Sequence, residues 1–298
     1  MAAVLDQPPH LLTRLLSAPA TSQLHQLILY AIAISILFRI YCLVHNDYHA
    51  FLALGPGGTP STFKGYLRVS WLRLFAHKNP FIPPPLMPEI IPASGYLLRL
   101  PRRFGPRPTV AGIAPQRQRD QIPPRHIHQA MTRALHSLAD SYPSIVGKGA
   151  SCFEKYGLAL FLTKDHEARN PGRTEQPDST RLNDTCEESG EFCHLHSSET
   201  SMHLTLHPSD AALVISHGWG QRHPLAGRKV HPLGREIFGR TLLPAGFVMV
   251  YAPTDESQIG VLMEIVRAAG WWVGGIGLGE GGRRGVGVLT RGGEEGSL

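Results

Sequence analysis

The pattern of apolar and polar positions separates one long apolar run near the start of the chain from a later region of shorter patterns. The run reads LILYAIAISILFRIYCLV over residues 27–44, and Arg39 is its one charged residue. These 18 residues are close to the minimum that crosses the hydrocarbon core of a bilayer as a helix. Tyr30 and Tyr41 lie toward its two ends, as aromatic residues do at membrane interfaces. We predict an uncleaved membrane anchor helix at residues 24–46, after an N-terminal tail at residues 1–23.

Two other interpretations fit the same run. The uncharged part, residues 27–38, has the length of the apolar region of a cleaved signal peptide, but no small-residue cleavage site follows it. The second interpretation is that the run forms a helix buried in the core of a protein. The fixed positive charges favour a cytosolic C-terminal domain, because Arg14 precedes the run while Lys64, Arg68, Arg73 and Lys78 follow it. The prediction is a single-pass protein of the endoplasmic reticulum membrane with its C-terminal domain in the cytosol.

Residues 47–106 form a juxtamembrane region of two parts. In the first, apolar side chains recur at helical spacing while Lys64 and Arg68 lie off the stripe. This pattern predicts an amphipathic helix on the bilayer surface or, equally, a helix that faces a protein core. In the second part, PFIPPPLMPEIIP at residues 80–92 contains six prolines, which excludes a helix and indicates an extended connector.

The folded domain is predicted at residues 107–273. Helical spacing of apolar residues occurs at residues 127–139, 209–217 and 256–269. Strand-like patterns occur at residues 152–162, 192–196, 202–207 and 247–251. The order predicts an α+β fold, a short antiparallel sheet layered by helices and preceded by one N-terminal membrane helix. Residues 164–190 read as a polar loop, and residues 274–298 as a disordered glycine-rich tail whose GxGxxG lacks the strand and helix that a dinucleotide site needs.

Charge and cysteine usage narrow the classes of function. The net charge of +6 comes from 29 basic and 23 acidic residues. They form no basic stripe interleaved with aromatic residues, so nucleic acid is not an expected partner. The four cysteines (Cys42, Cys152, Cys186 and Cys193) form no CxxC pair. Free thiols are favoured over a Cys186–Cys193 disulfide.

Histidine is the unusual component of the sequence, because seven of the 16 histidines lie between residues 194 and 231. His194 and His196 alternate on one strand and therefore share a face, and His203 lies on the next strand. If the two strands form a hairpin, several imidazoles converge on one side of the sheet. Imidazole exchanges a proton near neutral pH and also binds metals. The sequence thus indicates a site, although each histidine alone could be an ordinary polar position.

Several motifs resemble those of the fungal luciferases, over roughly residues 47–272. GWGQRHPLAG at residues 218–227 is the most specific of them. The others are DYHAFL at 47–52, FKGY at 63–66, RPT at 107–109, QRQR at 116–119, HLH at 194–196, HL at 203–204 and FVMVYAP at 247–253. Thr254 departs from the arginine that is common in the family after YAP.

The resemblance implies an oxygenase that adds O₂ to an enolic hydroxypyrone, 3-hydroxyhispidin, and needs no metal or flavin. The expected partners are a small-molecule substrate, with O₂ as co-substrate, and a membrane. Light emission does not follow, because many relatives come from non-luminous fungi. A histidine would remove the enol proton and an arginine would hold the anion. His223 or His196 is the expected base, and the site set is His194, His196, His203, His223, Arg117 and Arg222.

Two alternatives stay open at this stage. The chain could be a non-catalytic ligand-binding or scaffold protein with the same fold. It could also be a zinc-dependent hydrolase that uses His194, His196 and His203, because three neutral imidazoles can hold zinc or iron. Asp210 or Glu191 could then supply an oxygen ligand. No GxSxG motif is present, so hydrolysis by a serine nucleophile is weakly supported.

Overall fold

The computed structural model describes residues 20–88, 90, 92–163, 190–228, 243–275 and 277–279. Two compact units divide after Ala53. Four predicted features lie outside the described residues: most of the N-terminal tail, nearly all of the polar loop, most of the glycine-rich tail, and Cys186.

The first unit contains a single described helix, α1, at Ala20–Leu52. It is longer than the predicted anchor because the helix continues at both ends beyond the apolar run. Its leucine, isoleucine and phenylalanine side chains are largely exposed along residues 24–43. The segment Ser22–Leu52 is long and apolar enough to cross a membrane, a test that signal sequences and some core helices also pass.

Helix α2, at Phe63–Arg73, begins the second unit. Thr62 caps its N-terminus, since its hydroxyl oxygen accepts a hydrogen bond from the Gly65 amide at 3.2 Å. One face of the helix is buried and includes Tyr66, Val69 and Leu72, while Phe63 and Leu67 on the other side are about half exposed. The helix therefore packs on protein and also presents apolar side chains outward. The described part of residues 74–109 has no helix or strand, which agrees with the proline-rich connector.

A six-stranded antiparallel sheet forms the centre of the second unit, in the order β3-β4-β5-β6-β8-β7. Its strands are β3 Val146–Ala150, β4 Leu158–Leu162, β5 Glu191–Leu195, β6 Met202–Thr205, β7 Gly220–Arg222 and β8 Phe247–Val250. A separate two-stranded hairpin is formed by β1 Val110–Gly112 and β2 Gln116–Gln118. The predicted α+β class with short antiparallel strands is confirmed.

Three further helices layer the sheet: α3 at Arg125–Ser141, α4 at Pro208–Ser216 and α5 at Ile259–Gly274, which follows a short 3₁₀ turn at Glu256–Gln258. The buried stripe of α3 comprises Ile127, Met131, Leu135 and Leu138 at helical spacing. Alternate strand residues such as Leu204 and Val248 join the same hydrophobic core as α3 and α5. The intervening residues, His203 and Met249 among them, face the other way.

The β1–β2 hairpin covers that other face. The side-chain oxygen of Gln118 accepts a hydrogen bond from the amide of Ala252 at 3.0 Å, just beyond β8. The guanidinium of Arg117 donates to the carbonyl of Pro56 at 2.6 Å, which ties residues 54–62 to the hairpin. The sheet thus lies between a helical layer and a thin layer of hairpin and loop, and the candidate site lies under the thin layer.

Two sequence predictions were wrong in this unit. Residues 152–157 form turns rather than a strand, so β4 begins at Leu158. Gly157 explains the break, since its φ of +80° favours glycine and an added Cβ would lie 2.4 Å from the carbonyl oxygen of Leu195. Free thiols were favoured over a Cys186–Cys193 disulfide: Cys193 is free, as is Cys42, but the expectation is wrong at Cys152, which is disulfide-bonded.

Candidate active site: a buried histidine cluster

Strand pairing brings three imidazoles together on the hairpin-covered face. His194 on β5 lies directly opposite His203 on β6, and His196 follows two residues later on the same side. The Nε2 atoms of His194 and His196 lie 3.1 Å and 3.0 Å from Nδ1 of His203. All three ligand nitrogens lie within 4.8 Å of one another. We call this group the histidine cluster, and its three converging atoms the inner nitrogens.

Each imidazole of the histidine cluster directs its other nitrogen at an oxygen acceptor. His194 Nδ1 lies 2.6 Å from a carboxylate oxygen of Glu191, and His196 Nδ1 lies 2.7 Å from one of Glu199. His203 Nε2 lies 2.9 Å from the side-chain oxygen of Gln116. Since carboxylate and amide oxygens accept hydrogen bonds, the outer nitrogens carry the protons and the inner nitrogens present lone pairs.

The backbone explains how both glutamates reach their histidines. Residues three apart on a regular strand face opposite ways, but the register of β5 against β4 shifts at Leu160/Phe161, and this irregularity places Glu191 beside His194. Glu199 lies in the tight turn between β5 and β6, where the Thr200 amide donates to the His196 carbonyl at 3.0 Å. The turn therefore folds Glu199 back onto His196.

A third carboxylate and one guanidinium complete the polar group. Glu154 lies 3.5 Å from Nε2 of His196 and forms an ion pair with Arg117. The Nε atom of Arg117 lies 3.9 Å from a carboxylate oxygen of Glu199. Arg117, predicted as an anion-holding residue, therefore lies beside the histidine cluster but is already shared between two carboxylates.

The pKa shifts of His196, His203 and Glu199 describe buried, neutral imidazoles beside an ionised carboxylate. Burial lowers the pKa of His196, and burial together with the neighbouring imidazoles lowers that of His203 well below its usual value. Burial would raise the pKa of Glu199, but hydrogen bonds from His196 and Ser198 and the charge of Arg117 outweigh burial and lower it. His203 is therefore neutral at physiological pH and Glu199 is a carboxylate.

His223 adjoins the histidine cluster but has no free nitrogen. Its ring lies 5.4 Å from that of His203. Its Nε2 donates to the carbonyl of Ile113 at 3.0 Å, and its Nδ1 accepts from the amide of Leu225 at 3.1 Å. Burial lowers its pKa to about 3. His223, one of the two expected bases, is thus held by backbone on both sides, so the geometry gives the other, His196, or its neighbour His194 the better position.

Arg222, His207 and Asp210 do not join the histidine cluster. Arg222 pairs with Val248, which belongs to the helix-side core, and donates to the carbonyl of Ala226 at 3.1 Å. His207 packs against Trp272, with ring centroids 4.7 Å apart. Asp210 accepts from the amides of Tyr96 and Leu97, and burial raises its pKa to about 6. Strand register explains why Arg222 lies apart from the cluster. Its neighbour Gln221 pairs with Met249 and so takes the face of the histidine cluster, whereas Arg222 takes the opposite face.

Aromatic rings enclose the histidine cluster and separate it from water. Phe247 stacks on His203 with centroids 5.1 Å apart, and the half-buried Phe153 lies 5.0 Å from Phe247. The cluster histidines and His223 are each at most 4% exposed. A cleft of about 1390 Å³ lies elsewhere, between residues 92–101, α3 and α5, and its lining includes Tyr96 and Trp271.

Four residues of the polar group were not in the predicted site set: Gln116, Glu154, Glu191 and Glu199. Glu191 had been considered only as an oxygen ligand for a metal. A signal for Glu199 was present, because an acid in a short turn between two histidine-bearing strands stays close to both. No local signal identifies Gln116 or Glu154. Gln116 is 87 residues from its partner His203 along the chain, and Glu154 is 37 residues from its partner Arg117.

Comparison with known proteins shows that this part of the chain is similar to luciferases. The luciferase domain family matches residues 189–269. A luciferase of Armillaria ostoyae is 28% identical over 229 residues, which cover 76% of this chain and 80% of the relative. A luciferase of Neonothopanus nambi is 28% identical over 230 residues, with the same two shares. No solved structure matches the chain significantly.

Proposed function

Because the chain belongs to the fungal luciferase family, we propose that it is an oxygenase that adds O₂ to an enolic small molecule of the hydroxypyrone class. The observation that carries the proposal is the position of the histidine cluster. All three imidazoles, with Glu191 and Glu199, lie within the segment that matches the luciferase domain. A buried set of titratable groups in the matched segment is the expected location of a reaction centre.

The first step requires a base for the enol proton. An inner nitrogen of His194 or His196 can accept it, because the outer nitrogen of each donates to a carboxylate and the inner one carries the lone pair. The carboxylate then stabilises the imidazolium that forms, as in other carboxylate–histidine pairs. Arg117 has a positioning role, since its guanidinium orients Glu154 and Glu199.

The second step uses the electrons of the enolate. The enolate transfers one electron to O₂, and the resulting radical pair combines to form one C–O bond and a peroxide. Both electrons come from the substrate, so the addition consumes no external reductant. Loss of CO₂ from the peroxide then yields the oxidised product. The water-excluding rings of Phe153 and Phe247 favour this sequence, because water would protonate the enolate and the peroxide.

Oxygen uptake on addition of 3-hydroxyhispidin tests the proposal. The full chain in microsomes under air should consume O₂ in proportion to substrate, with photons counted in the same vessel. Uptake with or without light supports the oxygenase. No uptake, with unchanged substrate, would instead favour a ligand-binding or scaffold protein. Substrate breakdown without uptake would favour a hydrolase.

A membrane location is the second part of the proposal. We propose that α1 anchors the protein in the endoplasmic reticulum membrane with the folded domain on the cytosolic side. The exposed apolar side chains of α1 support the anchor, and the basic residues that follow it support this orientation. The disulfide at Cys152 argues against it, because cytosolic thiols are kept reduced.

Alkaline extraction of microsomes tests the anchor. The full chain should stay in the membrane pellet, because about 20 apolar residues insert almost irreversibly. A variant that lacks residues 20–46 should move to the supernatant. Release of the full chain by alkali would contradict the anchor. Protease treatment of sealed microsomes then reports the side, since a cytosolic domain is digested and a lumenal one is protected.

A further inference from the structure

We propose that the histidine cluster binds one divalent first-row transition metal ion, with the inner nitrogens of His194, His196 and His203 as its protein ligands. The inference goes beyond the oxygenase activity and does not depend on it. It also departs from the metal-free chemistry that the family resemblance implies.

The size of the cluster fits such an ion. The distances from His203 Nδ1 to the Nε2 atoms of His194 and His196 are 3.1 Å and 3.0 Å. Ligand nitrogens at about 2.0–2.1 Å from a metal are separated by about 2.9–3.4 Å for octahedral to tetrahedral angles. His203 Nδ1 therefore already stands at the spacing of neighbouring ligands from both other inner nitrogens, and all three lie within 4.8 Å of one another.

The outer hydrogen bonds match those of histidines that bind metals. Such histidines commonly donate their second N–H to a carboxylate or another oxygen, which fixes the tautomer and directs the lone pair inward. Here all three rings do so, toward Glu191, Glu199 and Gln116. The Glu191 carboxylate is itself held by the Ser151 hydroxyl at 2.9 Å and the Cys152 amide at 2.8 Å.

Charge gives an independent argument. Glu154, Glu191 and Glu199 are each at most 6% exposed. Among the described residues, Arg117 is the one guanidinium that pairs with them. A buried negative charge without a counter-ion is unfavourable by several kcal/mol, on the order expected for an unpaired buried ion. A dication at the inner nitrogens would balance the remaining two carboxylates.

Protons are the competing occupants of the same space. The lone pair of His203 Nδ1 faces those of His194 and His196 at 3.1 Å and 3.0 Å, and lone pairs this close repel unless something lies between them. Protons could satisfy them only by converting rings that are at most 4% exposed to imidazolium, which places new charge in a site closed to water. A metal ion satisfies all three lone pairs while the rings remain neutral.

The ligand type restricts the metal. Imidazole nitrogen suits Zn²⁺, Fe²⁺, Co²⁺ and Cu²⁺, whereas Mg²⁺ and Ca²⁺ prefer oxygen ligands. Three protein ligands leave at least one position for water or a substrate oxygen, the arrangement that is typical of catalytic rather than structural sites. At such a position the ion could bind an enolate oxygen.

Metal content of the purified full chain tests the inference. Protein prepared without chelators should contain about one transition metal ion per chain by elemental mass spectrometry. After chelator treatment, added Co²⁺ should give the visible d–d absorption of a nitrogen-ligated site at one equivalent. His203→Ala should lose both signals. His217→Gln, which alters a histidine at the C-terminus of α4, should retain both.

A second variant keeps the test meaningful if His203→Ala fails to fold. Glu191→Gln preserves the shape of the outer partner and should weaken Co²⁺ binding about 10–100-fold. Metal in the wild type no higher than in His203→Ala, with no Co²⁺ absorption, would overturn the inference and leave protons in the cluster. Oxygen uptake is measured separately. Uptake by a protein that holds no metal as purified and binds no Co²⁺ therefore rejects the metal alone, and bound metal without uptake rejects the oxygenase alone.

Discussion

His203→Ala should reduce substrate-dependent oxygen uptake by up to about 10²–10⁴-fold, because His203 positions both candidate bases and this is the range that a positioned acid–base group contributes. His203 is the residue that both other rings of the cluster contact, and it also contacts Gln116. Its removal leaves the rings of His194 and His196 without the imidazole that packs against both of them, and it opens a space beside Phe247. The measurement is the initial rate of O₂ consumption at saturating 3-hydroxyhispidin.

The matched control for this loss is His217→Gln. His217 is a histidine of the same segment, but its ring contacts Ser216 and the carbonyl of Leu213 rather than the histidine cluster. Its uptake rate should stay within about twofold of wild type, as for surface changes that alter stability little. Equal rates for His203→Ala and wild type, with both folded by circular dichroism, would remove the cluster from the reaction.

Arg117→Met should lower the free energy of unfolding by about 3–5 kcal/mol, because it removes one partner of a buried ion-pair network. Arg117 is 5% exposed and lies between Glu154 and Glu199. Methionine fills similar volume but leaves both carboxylates without a cation and the carbonyl of Pro56 without its donor. Urea unfolding of detergent-solubilised protein, followed by tryptophan fluorescence, measures the change.

Arg267→Ala provides the comparison for a surface pair. Arg267 binds Glu264 at 2.8 Å within α5, and the Glu264 side chain is 53% exposed. Exposed pairs contribute about 0–1 kcal/mol, so the variant should unfold close to the wild type. If Arg117→Met were no more destabilised than Arg267→Ala, Glu154 and Glu199 would not depend on Arg117 for their charge balance.

The convergence of the histidines could be predicted from sequence because it depends on strand periodicity. Alternation places His194 and His196 on one face, and the five residues 197–201 allow the chain to return directly as a neighbouring strand. The structure pairs His194 with His203 in that hairpin. The helices α3 and α5 were likewise predicted by spacing, because their buried stripes follow the 3.6-residue period.

The rest of the polar group could not be predicted because it is tertiary. Gln116 and Arg117 reach the cluster on β2, a three-residue strand whose pattern is too short to distinguish from loop. Glu191 reaches His194 through a β-bulge, which is set by pairing with β4 rather than by residues 191–194 alone. Arg222 shows the opposite error, since proximity in sequence to His223 suggested a shared site while strand alternation separates them.

The same geometry explains why a family resemblance and a metal site are compatible. The luciferase match identifies the segment, and the outer partners Glu191, Glu199 and Gln116 determine which nitrogen of each ring faces inward. Inner lone pairs can accept the enol proton directly or hold an ion that binds the enolate oxygen. Both roles need neutral imidazoles, surroundings that exclude water, and Glu191 and Glu199 in place.

Incorporation of isotopically labelled oxygen tests the central claim most directly. The purified full chain would be given 3-hydroxyhispidin under labelled O₂, and the product analysed by mass spectrometry. Addition of O₂ to the enolate predicts a product that carries label and is formed in step with O₂ consumption and CO₂ release. A product without label, or unchanged substrate beside a correctly folded protein, would contradict the account.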